Sequence, residues 1–148
     1  MPTVYHSFDA NCSAGALWLV LADLGSVADT NPLVNAVTII GDRKGGLGAV
    51  RRCDLFPKGK VTERVCAYEE GCMIGLEVVE SDWPVVSMAW RTEVKAIPGG
   101  ATLKQVLEYR MKFGPFGWLL NALVMRRALE KNIGAALKGV IRVAESRV

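Results

Sequence analysis

The chain has 148 residues, of which 51% are hydrophobic and 22% are charged, and its formal net charge at pH 7 is +3. This length predicts one domain covering residues 1–148, and the apolar fraction excludes an intrinsically disordered chain. The small net charge, with lysine and arginine scattered among acidic residues, argues against nucleic-acid binding. No apolar run is long enough to span a membrane, and the first residues lack the pattern of a secretory signal, so we expect a cytoplasmic protein.

The four cysteines are too dispersed to predict a metal site. Cys12, Cys53, Cys66 and Cys72 form no CxxC pair, and His6 is the only histidine. We therefore expect no structural zinc and no cofactor. Cys66 and Cys72 flank a Glu-Glu-Gly turn and can lie close together across a hairpin, but buried free thiols in a reducing cytosol are the favoured interpretation.

The N-terminal part predicts one strand followed by two short helices. Residues 4–8 form the strand candidate, and Asn11 or Ser13 can cap a helix that runs through residues 16–22. Residues 24–30 predict a second short helix that ends before a proline.

Six further strands are predicted in the middle of the chain, separated by turns rich in glycine, proline and acidic residues. They cover residues 34–40, 48–56, 60–68, 72–80, 85–96 and 101–113. The connections of a few residues cannot hold parallel crossovers, so the strands are expected to form an antiparallel meander.

After Pro115, which suits the first turn of a helix, the apolar period becomes helical and continues to the C-terminus. The predicted apolar face consists of Trp118, Ala122, Met125, Leu129, Ile133, Ala136, Val140 and Val143. The other side carries Arg126, Arg127, Lys131, Lys138 and Arg142. A basic amphipathic helix can lie on a membrane, but a sheet needs such an apolar face to cover it, so core packing is favoured.

The order of these elements resembles the START-like, Bet v 1-like SRPBCC superfamily, and within it the bacterial polyketide cyclase/dehydrase-type proteins. The segments that carry the resemblance are residues 46–51, 61–65 with Tyr68, 99–102 and 112–115. The resemblance implies an α+β helix-grip fold, in which a curved antiparallel sheet of about seven strands wraps around the long C-terminal helix. It also implies an internal cavity that binds hydrophobic small molecules.

Strand alternation places three charged side chains toward this expected cavity. Arg51, Glu63 and Glu80 each lie in phase with apolar neighbours on their own strand. Such groups can orient a ligand carbonyl or hydroxyl, and a buried carboxylate can act as a general acid or base. The alternative is a cross-strand ion pair, such as Arg51 with Glu63, that only fixes strand register.

Aromatic side chains and the helix supply further candidates for the cavity wall. Trp90 and Tyr109 are predicted to face inward, as cavity wall or as plain core, and Trp83 lies in a loop that can form the cavity mouth or simply pack a turn. Met125 belongs to the apolar face of the helix and completes the set of predicted ligand-binding residues.

The leading hypothesis is therefore binding of a lipid, a polyketide or an aromatic metabolite in a cavity between the sheet and the C-terminal helix. The alternatives are a cofactor-free cyclase or dehydratase that uses a buried carboxylate, and an interaction module whose cavity has collapsed. Both ligand hypotheses predict a pocket above about 300 Å³. Pairing of edge strands can also give a homodimer, and the residues decide neither the ligand nor whether a reaction occurs.

Overall fold

The computed structural model describes residues 3–83, 85–111 and 126–147. The elements in chain order are β1 (Thr3–Ala10), α1 (Ala14–Ala22), a 3₁₀ turn (Leu24–Ser26), α2 (Val27–Thr30), β2 (Val34–Ile40), β3 (Val50–Leu55), β4 (Lys60–Glu69), β5 (Met73–Ser81), β6 (Val85–Ile97), β7 (Gly100–Met111) and α3 (Arg126–Ser146). They confirm the predicted helix-grip fold. The predicted corner at Pro115 and the first part of the long helix lie outside the described residues.

The seven strands form one antiparallel sheet in the order β1-β7-β6-β5-β4-β3-β2. Strands β2 to β7 pair with their sequence neighbours, as the short connections predict. β1 pairs with β7, so β1 and β2 lie at opposite edges of the sheet. The segment containing α1 and α2 carries the chain from one edge to the other. Dimerisation through an edge strand stays a prediction.

Short side chains define where the first helices begin. The Ser13 hydroxyl accepts a hydrogen bond from the amide of Ala16 at 3.1 Å, which caps α1. This selects one of the two predicted caps. The Asp23 carboxylate accepts from the amide of Gly25 at 3.2 Å and in the same way begins the 3₁₀ turn.

Bulges curve the sheet. The pairing register shifts between Val34 and Ala36, between Thr62 and Glu63, between Val65 and Ala67, and between Val85 and Ser87. An extra residue in one strand of an antiparallel pair bends that strand and increases its twist. The result is a concave face that can receive a helix.

Helix α3 contributes the expected apolar face to the core, with a small change of phase. Its buried side chains include Leu129, Ile133, Leu137, Val140 and Ala144, which share one apolar cluster with sheet residues such as Leu103 and Leu107. The predicted members Ala136 and Val143 are half-buried.

The basic side of α3 faces solvent, and all five of its predicted residues are exposed. Two of them contact neighbouring elements: Arg142 donates to the carbonyl of Asp29 at 3.0 Å, and the Lys138 Nζ lies 5.4 Å from the ring centre of Phe8. None of the described helices has the length and apolarity that crossing a bilayer requires.

The four cysteines are free thiols in two different environments. Cys12 and Cys53 are buried, as predicted, but Cys66 and Cys72 are exposed. Cys66 lies at the register shift of β4, and Cys72 lies in the turn between β4 and β5. The prediction of buried thiols was therefore wrong for the second pair.

Candidate functional site

A cavity of about 170 Å³ lies between the concave face of the sheet, α3 and the segment containing α1 and α2. Most of its wall is aliphatic, with side chains such as Val20, Leu76, Leu107 and Ile133. Asp23 is the exposed residue among the described lining residues. This volume is below the roughly 300 Å³ that both ligand hypotheses predict, so that prediction is wrong for this cavity. Apolar cavities of about 150 Å³ nevertheless bind benzene.

A buried ion pair forms one part of the cavity wall. Arg51 on β3 and Glu63 on β4 are directly paired in the sheet register, and the Arg51 Nε donates to the Glu63 Oε1 at 2.7 Å. The Arg51 Nη1 also donates to the carbonyl of Leu24 at 3.1 Å. Both residues are only 7% exposed. The predicted cross-strand ion pair is confirmed, and because it lines the cavity, fixing register and contacting a ligand are compatible roles.

The thiol of Cys53 belongs to the same cluster. Its Sγ donates to the Glu63 Oε1 at 3.7 Å. Burial, followed by the nearby Glu63 carboxylate, raises the pKa of Cys53 to about 12. A thiol with such a pKa stays protonated at neutral pH and is a poor nucleophile.

The inward orientation predicted for Glu80 is wrong. Glu63 pairs with Val78 and Thr62 pairs with Glu80, so Val79 has no partner and the phase of β5 reverses there. Glu80 is consequently exposed, and Ser81 lines the cavity in its place.

The aromatic candidates occupy two different places, the cavity wall and the core. Trp83 and Trp90 line the cavity. Tyr109 faces inward as predicted, but it is fully buried in the core and is not among the described lining residues. Burial is the main cause that raises the pKa of its hydroxyl. Met125 lies outside the described residues. Binding of a ligand by any of these side chains stays a prediction.

Polar residues that the sequence did not single out also line the cavity. Thr92 on β6 donates from its hydroxyl to the Gln105 Oε1 on β7 at 2.9 Å. Asn132 lies on the cavity side of α3, and its Oδ1 is buried without a hydrogen-bond partner among the described residues. The sequence did contain a signal for Asn132: it lies three residues after Leu129 and four before Ala136, a spacing that places it on the apolar face of the helix.

The family model described as "Polyketide cyclase / dehydrase and lipid transport" matches residues 1–145. The chain belongs to this family. The match confirms the resemblance to the polyketide cyclase-like SRPBCC proteins. It supports a ligand-binding or polyketide cyclase-like protein without naming the ligand. No curated protein matches the chain.

Solved structures of the same fold come from distant proteins. A protein from Thermus thermophilus has a TM-score of 0.83 at 15% identity, with 99% of each chain covered. Ara h 8.0201 has a TM-score of 0.77 at 16% identity, with 98% of each chain covered. A point mutant of norcoclaurine synthase from Thalictrum flavum, in complex with a transition-state analogue, has a TM-score of 0.75 at 18% identity, covering 99% of this chain and 95% of that one. At these identities the likeness establishes the fold alone.

Proposed function

We propose that this protein binds a small hydrophobic or amphipathic molecule in the cavity between the sheet and α3. The observation that carries the proposal is the mainly aliphatic wall of the cavity, which includes Trp83, Trp90 and a buried ion pair. Apolar pockets with a few convergent polar groups are typical of small-molecule sites. The family description, which covers both cyclases and lipid transport, supports the same class of ligand.

The size of the cavity limits what can be enclosed. A volume of about 170 Å³ accommodates one ring or a short alkyl chain. A longer lipid or polyketide would extend beyond this cavity.

A cofactor-free cyclase or dehydratase is the second candidate. The observation that favours it is a carboxylate, Glu63, buried in the cavity wall. The Glu63 Oε1 already accepts from Arg51 and Cys53, so binding ranks above reaction. If this protein is an enzyme, Glu63→Gln should remove turnover and leave the binding of an uncharged ligand intact.

Filling the cavity tests the proposed function. Ala136 lines the cavity, whereas Ala128 is exposed on the same helix. In Ala136→Phe the new ring occupies the cavity, so titration with 1-octanol should no longer change tryptophan fluorescence. Ala128→Phe, the matched control, should respond as the unmodified protein does. Equal 1-octanol affinity in both variants, with unchanged circular dichroism, would place binding elsewhere and refute the proposal.

A further inference from the structure

The charged groups of the cavity are few and unevenly balanced. Among the described lining residues, Arg51 is the one cation, while Asp23 and Glu63 carry carboxylates. One positive and two negative groups leave an excess of one negative charge. Asp23 is exposed and screened by solvent, so the buried wall itself holds one cation and one carboxylate, and it offers an anionic ligand no uncompensated positive charge.

Two of the five N–H donors of the Arg51 guanidinium are already engaged, one of them with a carboxylate that compensates its charge. The Arg51 Nε binds Glu63 at 2.7 Å and its Nη1 binds the carbonyl of Leu24 at 3.1 Å. A ligand carboxylate that took over this guanidinium would leave Glu63 buried without its partner. Breaking a buried pair in this way costs far more than the pair contributes.

Uncharged polar groups are available instead. Thr92, Gln105 and Asn132 line the cavity. The Thr92 hydroxyl donates to the Gln105 Oε1, which leaves the Thr92 oxygen as an acceptor and the Gln105 NH₂ group as a donor, and the Asn132 Oδ1 has no partner among the described residues. These groups attract a polar ligand atom without requiring a charge.

We infer that the Arg51–Glu63 pair makes the cavity select uncharged amphiphiles, such as alcohols and phenols, over anionic ones such as fatty carboxylates. This inference rests on the proposed function and names the ligand class of the same site. Glu63 is then a specificity-determining residue, because it neutralises the guanidinium that would otherwise hold an anion.

The pH dependence of octanoate binding tests the inference with the unmodified protein. If only the protonated acid enters, the apparent affinity should fall on the order of tenfold per pH unit between pH 6 and 8, since the carboxyl group is almost fully ionised there. The affinity for 1-octanol should stay constant over the same range, which controls for titration of protein groups. An octanoate affinity that does not vary with pH would show that the anion itself binds, and would overturn the inference.

The variant Glu63→Gln should reverse the selectivity. Its unpaired Arg51 can hold a carboxylate, and hydrogen bonds to charged groups correspond to roughly a 10- to 100-fold gain in affinity. The ratio of octanoate to 1-octanol affinity, measured by calorimetry at pH 8, should rise by that factor. The double variant Arg51→Met/Glu63→Gln should lose the gain, and the exposed control Glu69→Gln should not change the ratio.

The outcomes separate the two proposals. An unchanged ratio in folded Glu63→Gln would refute the selectivity, and so would an equal gain in the double variant. If the unmodified protein binds neither 1-octanol nor octanoate, the proposed function itself fails. Should Glu63→Gln not fold, the pH dependence in the unmodified protein still decides.

Discussion

Gly139 is the position where a single methyl group should most disturb the contact between α3 and the end of α2. Gly139 is buried, and a Cβ added there would lie 2.0 Å from the carbonyl oxygen of Thr30 and 2.9 Å from its Cα. These are backbone atoms, so no side-chain rotation relieves the overlap. Ordinary contact begins near 3.4 Å, and the two backbones must therefore separate by more than 1 Å.

The size of the effect follows from two opposing contributions. Alanine is favoured over glycine within a helix by about 1 kcal/mol. Forcing packed backbones apart costs typically 1–3 kcal/mol and sometimes more. Because this overlap is severe and involves backbone on both sides, we expect Gly139→Ala to lower the free energy of unfolding by about 2 kcal/mol net. That corresponds to a fall in Tm of roughly 4–8 °C.

Gly134 on the same helix provides the matched control. A Cβ there would meet only the His6 Cε1, at 3.8 Å, which is ordinary contact. Gly134→Ala should therefore gain the helix propensity and raise stability by roughly 0.5–1 kcal/mol. Thermal and urea unfolding followed by circular dichroism would measure both variants. If Gly139→Ala were as stable as the unmodified protein, or if both variants shifted alike, the close approach of α3 to Thr30 would be refuted.

Two further predictions concern the cavity and the thiols. Asn132→Leu removes a buried acceptor that has no hydrogen-bond partner among the described residues. It should therefore raise the free energy of unfolding, measured by urea titration, by about 1 kcal/mol. A fall in the free energy of unfolding of similar size would show that the Asn132 amide does have a hydrogen-bond partner. In the native protein at pH 8, a thiol reagent should rapidly modify Cys66 and Cys72, because both are exposed. Cys53 should react only after unfolding, because it is buried and burial raises its pKa to about 12. Mass spectrometry of the labelled protein would identify the sites, and fast labelling of Cys53 would contradict its burial beside Glu63.

The spacing of apolar residues predicted the strands and helices well, because the period of two in a strand and the period of about 3.6 in a helix are both local properties of the chain. The strand at Val34–Ile40 has the predicted bounds, and the other strands between residues 50 and 111 differ from prediction only at their ends. Alternation also placed Arg51 and Glu63 correctly on the inner face, since the register shift between Thr62 and Glu63 has its extra residue on β5 and leaves the alternation along β4 intact.

The same reasoning failed where a bulge inserted an extra residue. Beyond Val79, the side chains of β5 exchange faces, so Glu80 turned outward. Val86, between the paired residues Val85 and Ser87, is the extra residue of another bulge, and its side chain is 57% exposed although it lies in an apolar strand. A bulge depends on the partner strand and on the curvature of the whole sheet, so the sequence of one strand does not reveal it.

The sequence by itself determined the helix-grip order of elements, the apolar face of α3 and the candidate pair Arg51–Glu63, because these depend on spacing within short segments. Only the tertiary structure decided that this pair lies in a cavity wall and that Tyr109 belongs to the core instead. It also brought Asn132 to the same cavity as Thr92 and Gln105. The shape of the cavity and the pairing of buried polar groups depend on contacts between elements that are far apart in the chain. Apolar spacing within one strand or helix does not indicate which distant residues will be in contact.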